Sequence, residues 1–349
     1  MDYAAPLRML VGIGLLLVLS LVLAACGGGA GGSQGSGGGD AGGGDGNVSG
    51  EIAVEGSSTI LPITQAAAEA FSQENPDVRI SVGGAGTGDG FAAFCAGETQ
   101  ISDASRPIDP KEEIPACEEN GIKYIEIPVA YDGISVVVNP QNDFATDITS
   151  EELKTLWEPA AEGRITKWSQ VHPEWPDQEI TLYGPGTESG TFDYFTDEVV
   201  GEEGASRSDY QASEDDNVLV QGVSGDPNAL GYFGFSYYET NQDSLKALAV
   251  DGVEPNTESI RTGEYPLSRP LFIYVSTQAL EENKAVKPFV NFYLDNLKAF
   301  VEQARYVTLP ESLAQEARTH WEDRTTGTVY NKNGEPKGGD LESALQRSQ

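Results

Sequence analysis

The sequence predicts an α/β protein folded into two lobes with a ligand cleft between them. Strand-like and helix-like runs alternate from residue 51 onward, which predicts a largely parallel sheet with helices packed on it. Two buried apolar runs, Gly133 to Val138 and Leu271 to Val275, stand far apart in the chain. A chain that leaves one lobe by the first run and returns by the second makes that lobe discontinuous, with two crossing strands and a cleft that can close on a ligand. Three short Gly and hydroxyl runs stand where a strand gives way to a helix: Gly56-Ser57-Ser58-Thr59, Gly86-Thr87-Gly88 and Ser189-Gly190-Thr191.

The elements follow from local pattern. Ile52 and Val54 alternate with polar neighbours, as in a strand. Pro62 suits the first turn of a helix whose face carries Ile63, Ala66, Ala67, Ala70 and Phe71, and Asn75-Pro76 stops it. Val78 to Val82 is a second strand, and Phe91, Phe94 and Cys95 then repeat helical spacing up to Gly97. Pro107 forces Arg106 out of the helical region, onto an extended loop or strand end. In the insert, Thr181 to Tyr183 is a short strand, Gly184 to Glu188 a turn, and Ser189 opens a helix bearing Phe192, Phe195 and Val199 that ends at Gly201. Phe289 to Phe300 reads as one helix.

The hydroxyl runs suggest chemistry. Glycine lets backbone N–H groups approach a ligand, Ser and Thr add rotatable donors, and a helix N-terminus adds unpaired N–H groups and a partial positive charge. Any one run is an ordinary helix cap. Three together suggest a cage for a small oxyanion, two runs facing the third across the cleft.

The ends of the chain carry a different message. Arg8 precedes an apolar run from Met9 to Leu23, too short for a comfortable membrane span, and Leu23-Ala24-Ala25-Cys26 resembles a bacterial lipobox. That resemblance implies a signal peptide over 1–25 and lipidation at Cys26. Residues 27–50 are nearly all Gly, Ser, Ala and Asp and read as a flexible tether. The domain layout is therefore a lipid-anchored linker over 26–50, a first lobe made of 51–138 plus 269–349, and a second lobe over 139–268. In an exported protein the two remaining cysteines, Cys95 and Cys117, suit one disulfide, with two separate buried thiols as the alternative.

The chain carries 55 acidic against 21 basic residues, a net charge of −34. Nucleic acid is thereby disfavoured as a partner. An anion ligand stays compatible, because donors act at about 3 Å while surface charge is screened beyond about 8–10 Å. Enzyme chemistry lacks its usual groups. The chain has two histidines, His172 and His320, far apart, and no cluster with metal-ligand spacing. No cofactor is expected.

In their order and spacing these residues resemble the PstS-type phosphate-binding proteins of ABC importers. The resemblance covers 51 to about 325. It includes Gly56-Ser57-Ser58-Thr59, Gly86-Thr87-Gly88-Asp89-Gly90, Ala104-Ser105-Arg106-Pro107, Ile148-Thr149 with Glu152-Leu153 and Trp157, Ile165 and Trp168, Gly186 to Thr191, and Gly231-Tyr232. It implies a type II periplasmic-binding-protein fold and no catalysis. It also implies a monomer on the extracytoplasmic side of the membrane, in the periplasm or on the outer cell surface, delivering inorganic phosphate to permease subunits. A receptor for sulfate, molybdate or tungstate is the alternative. The implied phosphate ligands are Ser58, Thr59, Ile60, Thr87, Ser105, Ser189, Gly190 and Thr191. Family members carry an arginine shortly before the Ser-Gly-Thr and an acid where Ser105 falls. This chain has neither, so Arg106 is expected to supply the cation. Asp132 and Asp89 are the foremost candidates to accept the phosphate proton, with Asp103 and Glu188 behind them.

Overall fold

The computed structural model describes residues 48–337 and 339–348. The apolar N-terminal run, Cys26 and most of the Gly-rich segment lie outside the described residues.

The parallel start is as the alternation predicts. β1 (Gly50–Gly56) lies between β2 (Val78–Val82) and β3 (Ile101–Ala104), paired in parallel with both. Next comes β4 (Tyr124–Val138), fifteen residues long and buried throughout. After it come β5 (Asp147–Ile148), β6 (Thr181–Pro185), β7 (Gln211–Ser213), β8 (Ala229–Gly234), β9 (Lys246–Ala247), β10 (Ala249–Val250), β11 (Ser268–Ser276) and β12 (Val307–Thr308). The main sheet runs in the order β2-β1-β3-β11-β4-β8-β6-β7. β4 belongs to both halves: Tyr124 to Gly133 pair with β11, and Ile134 to Val138 pair with β8. This is the curled, two-lobed α/β architecture, crossed among the described residues by one long strand.

Three details depart from the sequence reading. The crossing strand begins at Tyr124, nine residues before Gly133, because Pro128 and Glu126 disguise its first part. The ladder shifts register there, Phe272 facing Pro128 and Leu271 facing Ala130, which is how a strand absorbs a residue without an N–H. Glu126 is fully buried, and its carboxylate accepts from the Tyr274 hydroxyl at 2.7 Å, the Thr328 hydroxyl at 2.8 Å and the Val329 N–H at 2.9 Å. The returning strand β11 does not span both halves; it pairs with β3 and β4 inside the first. Likewise, the single helix expected over 289–300 is two helices, Val286–Asp295 and Leu297–Gln303. They part at Asn296, whose side chain donates to the Phe292 carbonyl at 2.9 Å, competing with the backbone ladder.

The helices that matter for the site are short. α1 (Leu61–Glu74) has Pro62 in its first turn and buries Ile63, Ala67 and Phe71. α2 (Thr87–Cys95) and α3 (Glu113–Glu119) are joined by a Cys95–Cys117 disulfide. In the second half, α4 (Ser150–Trp157) carries a Thr149/Glu152 capping box, α5 (Trp168–Val171) follows, and α6 (Gly190–Phe195) runs into a wide turn over Thr196–Val200 that Gly201 ends at φ 90°. α6 is held from below: Phe195 stacks on Tyr232 at 3.7 Å and meets Trp157 edge-on at 5.6 Å.

The disulfide closes a span of 22 residues, for which chain entropy alone gives about 3 kcal/mol. Replacing Cys95 and Cys117 together by serine is expected to lower the unfolding free energy by about that amount in a denaturant titration. An unchanged midpoint would show that the bridge adds nothing to stability.

Candidate functional site

Below the point where β4 crosses between the halves, a small cavity gathers polar side chains from both. Its first wall is the turn between β1 and α1. The Ser57 N–H donates to the Asp103 carbonyl at 2.9 Å, and the Ser57 carbonyl accepts from Ile60 N–H at 3.2 Å and Leu61 N–H at 3.1 Å. This closeness requires Gly56, at φ 150°, because a Cβ there would overlap the Asp103 carbonyl. The Thr59 N–H donates to the Ser57 hydroxyl at 3.2 Å. The N–H groups of Thr59 and Ile60 thus serve the turn itself, and Ile60 is fully buried outside the cavity. What the turn presents is hydroxyls, from Ser57, Ser58 and Thr59.

The second wall is the start of α2 with the end of β3. The Thr87 hydroxyl lies 3.0 Å from that of Ser105 and accepts the Ser105 N–H at 3.2 Å, so the two residues fix one another and both line the cavity. The cation comes from elsewhere than the sequence suggests. Arg106 turns away to form a two-pronged pair with Glu113, at 2.9 and 2.7 Å, and is not among the lining residues. Glu113 stands in the first turn of α3, where an acid suits the helix N-terminus, and its carboxylate also accepts the Asp109 N–H at 2.7 Å. The guanidinium in the cavity is that of Arg269. It sits at the start of β11, directly opposite Asp132 of β4. Its Nη2 donates to the Thr59 hydroxyl at 3.0 Å, its Nε lies 3.5 Å from the Asp132 carboxylate, and its Cζ stands 3.6 Å from the centre of the Tyr194 ring.

The third wall belongs to the second half of the sheet. The Ser189 hydroxyl caps its own helix by accepting the Thr191 N–H at 3.2 Å, and neither residue lines the cavity. Gly190 abuts the first half: its carbonyl accepts from the Thr59 hydroxyl at 3.4 Å, and a Cβ on it would come within 2.7 Å of that oxygen. The side chains that reach the cavity lie further along, Asp193 and Tyr194 on α6, then Asp197 and Glu203. Asp193 accepts from the Ser58 hydroxyl at 3.1 Å, a bond between the two halves. Of the acids singled out in the sequence, Asp132 backs Arg269, Asp89 is exposed on the first turn of α2, Asp103 is buried behind the Ser57 turn, and Glu188 is exposed.

The electrostatics follow from burial. Burial raises the pKa of Asp132, with the Arg269 charge opposing it. Burial likewise raises Asp193, against the Ser58 hydrogen bond and Arg269, with Glu188 and Glu214 adding to the rise. Arg106 is raised by its bond to Glu113. The cavity therefore offers hydroxyls, one guanidinium and the carboxyls of Asp193, Asp197 and Glu203, of which Asp193 and Glu203 are inclined by burial to take a proton. That set suits a small tetrahedral anion that still carries a proton. A larger groove of about 820 Å³ runs along the helix Glu311–Glu322, but its two guanidinium groups are committed. Arg318 pairs with Asp295 and Glu322, both at 2.8 Å, and Arg261 donates to the Thr308 carbonyl at 2.9 Å.

Sequence reasoning missed Arg269, Asp193 and Tyr194. No local signal marked Arg269: it meets Asp132 only because β11 runs antiparallel along the part of β4 that precedes Ile134.

A crossed α/β sheet whose halves both send polar side chains into one cavity defines a two-lobed solute-binding protein. The family comparison agrees, since residues 41–296 match the PBP superfamily domain. Protein SphX of Synechocystis sp. is 50% identical over 287 residues, 81% of this chain and 85% of that protein. The phosphate-binding protein PstS of Staphylococcus saprophyticus is 39% identical, covering 87% of this chain and 91% of its own. Among solved structures, a possible phosphate-binding protein of Planctomyces limnophilus superposes with a TM-score of 0.75 at 44% identity, over 79% of this chain and 99% of that one. A Clostridium perfringens substrate-binding protein with bound phosphate gives 0.51 at 28% identity, over 75% and 100%. The chain belongs to the PBP superfamily, in the family of the PstS phosphate-binding proteins.

Proposed function

We propose that this protein is an extracytoplasmic receptor that captures inorganic phosphate in the cavity between its lobes and delivers it to an ABC importer, without turning it over. The observation that carries the reading is the convergence of the Thr59, Thr87 and Ser105 hydroxyls with the Arg269 guanidinium. In this reading the Ser58 and Thr59 hydroxyls, which here donate to Asp193 and the Gly190 carbonyl, turn with those of Thr87 and Ser105 to donate to the phosphate oxygens, and Arg269 supplies the charge that Arg106 was expected to supply. Asp193 takes the place of Asp132 and Asp89 as acceptor of the phosphate proton. Phosphate keeps a proton near neutral pH and sulfate does not, so a fixed acceptor there favours phosphate. The lobes of the proposal are 51–138 plus 269–349 and 139–268, closing about β4. Contacts made only in the closed form shift the lobes together. A lipid anchor at Cys26 and a tether to residue 50 would keep a monomeric receptor close to its permease, raising its effective concentration.

Competition calorimetry tests the reading. One molecule of phosphate is expected to bind per chain, with sulfate and molybdate displacing it only at far higher concentration. Absence of phosphate binding would overturn the proposal, and tighter binding of sulfate or molybdate would transfer the site to that anion.

A further inference from the structure

Arg269 is held on three sides, and the sides come from different parts of the fold. Its edge is held by the first half of the sheet, through Thr59 and Asp132. Its face is covered by Tyr194 of the second half, with Cζ 3.6 Å from the ring centre. Tyr194 is itself 4% exposed and sits beside Phe195, whose ring is stacked on Tyr232. The ring is thus a fixed floor.

We propose that Tyr194 is a positioning residue for the ligand cation: its ring seats the Arg269 guanidinium by a cation–π contact across the two halves, so the guanidinium is set in its binding plane only when the halves are together. The inference rests on the reading of Arg269 as the phosphate-binding cation.

A guanidinium is planar, carries its donors in that plane and stacks well on aromatic faces. An aromatic face attracts the charge when a cation lies within about 6 Å of its centre, and the attraction grows when water is excluded. It does this without taking up any N–H group. Covering the face with a ring therefore leaves the in-plane donors for Thr59 and a ligand, while a hydrogen-bonding neighbour at the same place would compete for them. Because Tyr194 and Arg269 belong to different halves, opening the cleft would separate charge from ring. The site would lose hold of its cation as it releases its ligand. A simple apolar wall at residue 194 would give none of this coupling to the electron density of the ring.

Phosphate titration calorimetry on residue 194 variants of the full chain distinguishes the two. Tyr194→Phe is expected to bind phosphate within about twofold of the native protein, and Tyr194→Leu about tenfold more weakly, equivalent to about 1.4 kcal/mol. Mono-, di- and trifluorophenylalanine at residue 194 keep ring size but progressively withdraw charge from its face, and should weaken binding step by step at an unchanged unfolding midpoint. Native affinity in the leucine variant, a phenylalanine variant as weak as leucine, or fluorinated rings that all bind alike would each overturn the proposal. If Arg269→Ala also leaves affinity unchanged, the phosphate site itself is misassigned. If Arg269→Ala binds weakly while the ring series is flat, the positioning role alone is lost.

Discussion

Arg269→Ala is expected to weaken phosphate binding by roughly ten- to a hundredfold, because a charge-assisted hydrogen bond contributes about 1.5–3 kcal/mol. The same change removes the partner of Asp132, which is 2% exposed in its side chain, and breaking a buried pair costs about 3–5 kcal/mol of stability. The two effects can be separated. Burial already raises the Asp132 pKa, and without Arg269 only the hydrogen bond from the Gly133 N–H opposes the rise. Adding Asp132→Asn to Arg269→Ala should therefore recover most of the stability while phosphate binding stays weak. Arg106→Ala is the counterpart. Its guanidinium serves Glu113 outside the cavity, and its loss should leave affinity within about twofold. A double variant that binds like the native protein, or an Arg106→Ala protein that has lost binding, would return the role of the cation to Arg106.

The second large effect concerns Asp103. Its carbonyl anchors the Ser57 turn, and its side chain is fully buried. Burial pushes its carboxyl up to about 7, with the charge of Glu55 adding to the rise. The unfolded chain has a carboxyl of ordinary acidity, about 3.9, so the folded state holds the proton more tightly. The stability this gives is fully present below about pH 4, is lost as pH rises through about 7, and is constant above that. Relative to an Asp103→Asn variant, the native protein should therefore lose about 3 kcal/mol between about pH 5 and pH 8. Glu126 and Asp132, also raised by burial, titrate alike in both proteins and cancel in the difference. Denaturant midpoints at the two pH values check this. A difference that does not change with pH would mean that Asp103 is ionised throughout, or that its proton is irrelevant to folding.

Much of the fold was readable because it is written in local period. The alternation from Ile52 to Cys95, the stop at Asn75-Pro76 and the left-handed Gly201 are all short-range signals. The crossing strand was half-read, because Glu126 and Pro128 break an apolar run that the tertiary structure satisfies with Tyr274, Thr328 and a register shift. The hydroxyl half of the site was equally local: Ser58, Thr59, Thr87 and Ser105 all reach the cavity. The charged half was not. Arg106 was judged by its neighbours in the motif, whereas its partner Glu113 lies seven residues on, in the first turn of α3. Arg269 acquires its place only when β11 pairs with β4. The third run was readable as a helix start, and the structure uses it as one: Ser189 caps, and the reach into the cavity falls to Asp193 a turn later.

A crystal structure grown with phosphate tests the central claim most directly. Tetrahedral density is expected within about 3 Å of the Thr59, Thr87 and Ser105 hydroxyls and of the Arg269 guanidinium, with Arg106 still on Glu113. Density at another place, such as the groove beside Arg318 and Arg261, or phosphate held by Arg106 with Arg269 unengaged, would contradict it.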